Sequence, residues 1–132
     1  MMIDTILIVE DNKIFRHSLK EMLCNAFPSM IIEEAKNGKE ALQKIEDHTP
    51  DFIFMDIRLP SASGVTLTKK IKTAHPNIII AVLTSYDLPE YRNAALQSGA
   101  NHFLSKSSST RKHIIELVES ILTDKSSNCN AL

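Results

Sequence analysis

Five short strand-like runs alternate with five stretches of helical periodicity along these 132 residues, and that alternation restricts the fold more than any other feature. Four of the runs end in residues suited to a phosphate or a hard metal ion. Thr5–Val9 runs into Glu10 and Asp11, and Phe52–Met55 into Asp56. Residues 78–83 run into Thr84 and Ser85, and residues 102–105 into Lys106. Strands that alternate with helices at this spacing form a parallel sheet covered on both faces. Parallel strands share a direction, so all four endings fall on one edge of the sheet. Three carboxylates, a hydroxyl and an ammonium then meet in one crevice, at the carboxyl ends of the strands where open α/β sheets bind ligands. The expected class is α/β: a single doubly wound parallel sheet of five strands with five helices.

The helices are legible from caps and apolar spacing. Asn12 is placed to cap the first, in which Phe15, Leu19, Met22, Leu23, Ala26 and Phe27 recur at intervals of three and four. Pro28 ends it. Residues 30–35 read as a second, more polar strand, expected at an edge. Asn37 caps a helix over 38–48, with Ala41, Leu42 and Ile45 inward. Residues 58–64 form the longest turn-rich stretch, and a third helix covers 65–74. The fourth and longest apolar run suits a central strand. Asp87 is expected to cap the fourth helix, with Gly99 at its carboxyl end. Thr110 opens the last helix, which carries Ile114, Ile115, Val118, Ile121 and Leu122. One domain over 1–122 and a polar tail over 123–132 are expected.

Composition narrows the function classes. The formal net charge is −1 and no run of Lys and Arg stands out, so nucleic-acid binding is not expected. No stretch approaches the roughly 20 apolar residues of a membrane helix. The amino terminus lacks the charged-then-apolar plan of a signal peptide. Cys24 and Cys129 are too few for a disulfide framework, and a cytoplasmic setting is expected. The five histidines (17, 48, 75, 102 and 113) lie on separate elements without metal-ligand spacing.

The shared edge has its own chemistry. Gathered carboxylates repel one another, and a divalent cation relieves them. Mg²⁺ takes one or two carboxylates together with waters and phosphate oxygens, which Glu10, Asp11 and Asp56 suit. Lys106 adds a point charge for a carboxylate or phosphate oxygen, and Thr84 a hydroxyl that can bond a phosphoryl oxygen. Asp56 ends a central strand facing all of these, so it is the carboxylate to be acted on, as a phosphoryl acceptor. Each residue alone has an ordinary explanation as a cap, turn former or solvated charge, and Phe103 as packing. The five together, at four of five strand ends, point to one site.

At these positions the chain resembles the response-regulator receiver domains, the CheY-like family, over about residues 4–122. The family's paired acids match Glu10 and Asp11, and its phosphoacceptor motif matches residues 54–60 with Gly64 following. Its switch hydroxyl matches Thr84, its lysine Lys106, and its aromatic rotamer switch Phe103. The resemblance implies strand order 2-1-3-4-5 and transfer to Asp56 from a sensor histidine kinase or a phosphotransfer protein. It implies Mg²⁺ held directly by Asp11, more indirectly by Glu10, and by Asp56 and the backbone carbonyl of Arg58. It implies a changing face of fourth helix, fifth strand and fifth helix, used for a partner or for homodimerisation. Such a domain catalyses only its own phosphorylation and dephosphorylation, so no enzyme with an external substrate is expected. Glu10 stands where Asp is commoner. Ser107 stands where many relatives carry a cis proline, so a trans bond is expected. Residues 99–106 are similar to the NarL-like subgroup, whose receivers precede a DNA-binding module, so the chain is either stand-alone or the receiver portion of such a transcriptional regulator. Arg58 and Tyr86, each two residues past a site residue, are expected to border the phosphoryl group and slow its hydrolysis.

Three alternatives compete. A pseudo-receiver would bind partners without phosphorylation, but all five key residue types are present. A haloacid-dehalogenase-like phosphatase wants a second Asp two residues after Asp56, where Arg58 stands. A flavin carrier wants a phosphate-binding glycine loop after the first strand, and none follows.

Overall fold

A computed structural model describes residues 5–130, with side chains through 122. Five parallel strands form one sheet: β1 (Thr5–Val9), β2 (Ile31–Ala35), β3 (Phe52–Met55), β6 (Ile79–Thr84) and β7 (His102–Ser105). Their spatial order is β2-β1-β3-β6-β7, the order the resemblance implies, with the polar β2 at an edge. β1 pairs with both neighbours, Ile8 lying beside Glu34 on one side and Phe54 on the other.

Alternation along the strands divides the core in two, because successive side chains point to opposite faces. Leu7, Val9, Ile53, Met55, Ile80 and Val82 pack against α2 (Gly38–Asp47), α3 (Gly64–Ala74) and α4 (Pro89–Gln97). Ile6, Ile8, Phe52, Phe54, Ala81 and Leu83 pack against α1 (Lys13–Ala26) and α5 (Arg111–Asn130). Leu19 and Leu23 of α1 are buried, with Phe15, Met22 and Phe27 partly so. The central strands are buried on both faces, which is why they read as unbroken apolar runs.

The caps at Asn12 and Asn37 form as expected, their side chains accepting from the Phe15 and Glu40 amides at 3.0 and 2.8 Å. The Thr110 hydroxyl accepts from His113 N at 3.2 Å. Gly99 follows α4 with φ +107°, a conformation that favours glycine. Three expectations are corrected. Asp87 does not cap α4: Leu88 holds that position without a side-chain bond, Pro89 starts the helix, and the Asp87 carboxylate lies 3.6 Å from Arg92. Proline suits the first helical position through its fixed φ and missing amide, and the Tyr91 amide is met by the Leu88 carbonyl at 3.0 Å rather than by a capping side chain. The backbone of α5 continues to Asn130 rather than ending near 122. The turn-rich stretch after Asp56 holds a small antiparallel hairpin, β4 (Arg58–Leu59) with β5 (Ala62–Ser63), turned at Ser61 with φ 64°.

That hairpin brings α3 back against the end of β3. Gly64 N donates to Ile57 O at 2.7 Å, and Ser63 caps α3 by accepting from Val65 N. A Cβ at Gly64 would stand 1.9 Å from the Asp56 carbonyl oxygen, so only glycine fits. Gly64→Ala should lower the free energy of unfolding by about 2–4 kcal/mol in urea titration. A loss below about 0.5 kcal/mol, the level of an ordinary surface change, would contradict this packing.

Candidate functional site

The carboxyl edge is held by backbone bonds that extend the sheet one residue past its strands. Glu10 N donates to Ala35 O at 3.0 Å, Asp56 N to Val9 O at 3.0 Å, and Lys106 N to Thr84 O at 2.8 Å. Glu10, Asp56 and Lys106 are therefore each tied to a neighbouring strand, and the side chains converge as the strand endings predict.

Glu10, Asp11 and Asp56 each offer a carboxylate oxygen, and these atoms lie within 4.8 Å of one another. Glu10 and Asp56 are buried, at 3% and 7% exposure, and Asp11 is exposed. Lys106 Nζ donates to Glu10 Oε1 and lies 3.5 Å from Asp56 Oδ2. The second Glu10 oxygen accepts from Asn12 N at 3.0 Å, so both its oxygens have protein partners. Asp56 Oδ1 accepts from Ile57 N at 2.8 Å, which leaves Oδ2 facing the lysine. Asp11 has no hydrogen bond or ion pair among the described residues. Desolvation pushes the Glu10 carboxyl above its ordinary value, against the hydrogen bonds from Lys106 and Asn12; the neighbouring Asp56 charge adds to the rise. This is a hard-oxygen donor set with excess negative charge, which fits a divalent cation. Asp11 is the freest ligand, and the 3.5 Å contact of Asp56 Oδ2 with Lys106 is longer than either bond to Glu10.

Thr84 is fully buried. Its hydroxyl oxygen accepts from Tyr86 N at 3.2 Å, leaving the hydroxyl proton to donate. Arg58 opens the hairpin two residues beyond Asp56, and Tyr86 follows Thr84. The two meet: Arg58 donates to the Tyr86 hydroxyl at 3.1 Å, its guanidinium 4.7 Å from the ring centre. Phe103 is buried in the core, with the Arg92 guanidinium 4.9 Å from its ring centre. Among the described residues no peptide bond is cis, so Lys106–Ser107 is trans as expected.

Sequence reasoning missed two neighbours. Asn12 was read only as a helix cap, yet its amide also holds Glu10. Phe15 was read only as core, yet its ring centre lies 4.2 Å from Lys106 Nζ.

Comparison with known proteins agrees with this geometry. The profile of the response regulator receiver domain matches residues 6–119. The chain belongs to that family. The transcriptional regulatory protein DegU of Brevibacillus brevis is 30% identical over 101 residues, covering 76% of this chain and 43% of that protein. The chemotaxis protein CheY of Halobacterium salinarum is 30% identical over 118 residues, covering 89% of this chain and 96% of that one. A CheY-like receiver domain from Methanospirillum hungatei superposes with TM-score 0.85 at 26% identity, covering 96% and 98% of the two chains. A LuxR-family DNA-binding regulator from Staphylococcus aureus gives 0.77 at 26% identity, covering 89% and 95%. NarL/LuxR-type proteins are thus among its neighbours, as residues 99–106 implied. This receiver spans about half or less of the length of several curated relatives it matches. Among the described residues no helix is long and apolar enough to cross a membrane.

Lys106 is the cation that compensates two buried carboxylates. Lys106→Met should destabilise the fold by about 2–4 kcal/mol at neutral pH, because it strands the Glu10 charge. Lys106→Met removes a partner that lowers the Glu10 pKa, so the carboxyl stands still further above its ordinary value in the variant than in the parent. A carboxyl that titrates higher folded than unfolded costs stability as pH rises through that interval. The deficit should therefore shrink as pH falls toward 4.5, the ordinary Glu value. Urea titrations of both proteins at several pH values measure it, and a deficit that grows on acidification would contradict this role.

Proposed function

We propose that Asp56 is the phosphoacceptor of a two-component phosphorelay. The observation that carries this reading is the approach of Lys106, from the end of β7, to Oδ2 of Asp56 at the end of β3, 3.5 Å away. The donor is a phosphohistidine on a sensor kinase or phosphotransfer protein. Asp56 Oδ2 attacks phosphorus, the O–P bond forms as the donor P–N bond breaks, and the histidine nitrogen takes up a proton. Such transfer needs positioning and charge neutralisation more than covalent help. Lys106 neutralises developing charge, and the Thr84 hydroxyl donates to a phosphoryl oxygen. Asp11, Asp56, the Arg58 backbone carbonyl and, less directly, Glu10 would hold Mg²⁺. That ion would supply further charge neutralisation for phosphoryl transfer.

The output is a changed surface. Phosphorylation adds charge and acceptor oxygens beside Thr84. Thr84 and Phe103 are the switch residues, lying in adjacent strands under α4. The face of α4, β7 and α5 would then engage a partner or a second copy. The chain acts on itself and turns over no external substrate. The match to the Halobacterium CheY is in keeping with a stand-alone receiver, and the match to DegU with the receiver portion of a transcription regulator. In either case DNA contact belongs outside this segment. Exposed Cys24 is a free thiol, in keeping with a reducing cytoplasm.

Incubation with acetyl phosphate and Mg²⁺ should add one phosphoryl group, read by intact mass, and Asp56→Asn should abolish it while circular dichroism stays unchanged. Stoichiometric labelling of the variant at another residue would overturn the assignment, and a parent that takes up no phosphoryl group would favour a pseudo-receiver. The Arg58–Tyr86 pair is proposed to screen the phosphoaspartate from water. Arg58→Ala or Tyr86→Ala should hasten hydrolysis about three- to tenfold, or about 0.7–1.4 kcal/mol of barrier. Unchanged phosphoryl lifetimes in both would remove that screen.

A further inference from the structure

Four contacts close a ring around the Lys106 ammonium. Lys106 Nζ donates to Glu10 Oε1, and Glu10 Oε2 accepts from Asn12 N at 3.0 Å. Asn12 Oδ1 accepts from Phe15 N at 3.0 Å, and the Phe15 ring returns to Lys106 Nζ at 4.2 Å from its centre. Arg16 donates to the Glu10 carbonyl at 2.8 Å, fixing the start of α1 over the same point. The ring is built from the ends of β1 and β7 and the first turn of α1. Glutamate serves it well, since the extra methylene lets one carboxylate reach both the lysine and the Asn12 amide.

Phe15 does what no other member does. An ammonium has three N–H groups, and those facing Glu10 and Asp56 are satisfied by carboxylate oxygens. The aromatic face is an acceptor for the remaining charge, at a distance suited to a cation–π contact. The space behind Asp56, bounded by Phe15, Leu19, Phe54 and Leu83, is about 10 Å³. A flexible lysine stem would otherwise sample several rotamers.

We propose that Phe15 is a positioning residue for phosphoryl transfer, holding the Lys106 ammonium against Asp56 through its aromatic face. This rests on Asp56 as the phosphoacceptor. A leucine or methionine of similar bulk keeps the apolar packing but offers no π face, so the effect is electronic and geometric rather than volumetric.

The test compares Phe15→Leu, Phe15→Met and Phe15→Trp in the full chain, in parent and Lys106→Met backgrounds, by the rate of acetyl-phosphate labelling with Mg²⁺. Leucine and methionine should slow labelling about three- to tenfold at little cost in thermal midpoint, and tryptophan should preserve the rate. In the Lys106→Met background, Phe15→Leu should cost nothing further. A leucine variant as fast as the parent, or the same slowing in both backgrounds, would overturn the proposal. A second readout is independent of phosphorylation. The Lys106 ε-methylene protons should resonate upfield under the ring current of Phe15 and move back in Phe15→Leu. Should the parent fail to label while this shift is present, the phosphoacceptor assignment fails and the contact stands. An absent shift in the parent overturns the contact itself.

Discussion

The Lys106 ammonium, held between Glu10 and Asp56, is the interaction on which the site depends. Two buried carboxylates at one sheet edge are costly by desolvation and by mutual repulsion, and the lysine is the cation that reaches both. It can do so because β7 runs parallel to the strands that carry the acids. The sheet continues one residue past its formal ends, through the amides of Glu10, Asp56 and Lys106. Backbone geometry therefore sets the side-chain geometry, and the core on either face holds that backbone in register. Residual negative charge, with Asp11 exposed and unpaired among the described residues, makes the site receptive to a cation.

The strand endings were legible because chemistry and topology coincide there. A parallel sheet places all carboxyl ends together whatever the helices do, so Glu10, Asp11, Asp56, Thr84 and Lys106 could be assembled from sequence. Asn12, Asn37 and Gly99 were legible because capping is local. The hairpin of β4 and β5 was not, because two-residue strands carry no periodicity. Asp87 misled because it has the right side chain one position too early, and the Leu88 carbonyl rather than a side chain meets the Tyr91 amide. The polar residues after 122 gave no apolar face by which to extend α5. The tie between Phe15 and Lys106 was hidden because residues 91 apart in sequence meet only once α1 and β7 are placed on the sheet.

The two flanks of the site differ in character. On the α1 side, Phe15, Asn12 and Arg16 hold Glu10 and Lys106 in a closed set of contacts. On the α4 side the contacts are chained: Arg58 stacks on Tyr86, Tyr86 meets Tyr91 edge-on at 6.1 Å, and the adjacent Arg92 covers Phe103. Several members of that chain are exposed or half-buried. Thr84 stands where the two meet, its carbonyl bound to Lys106 and its hydroxyl to Tyr86.

Amide NMR during titration with Mg²⁺ and beryllofluoride, a phosphoryl mimic, is the most direct measurement of this convergence. Shifts should arise together at residues 10–12, 56–58, 84–86 and 105–107, from four strand ends at one binding constant, and spread next to α4. Shifts confined to one of these segments, or scattered over the opposite edge of the sheet, would show that the four endings do not form a common site.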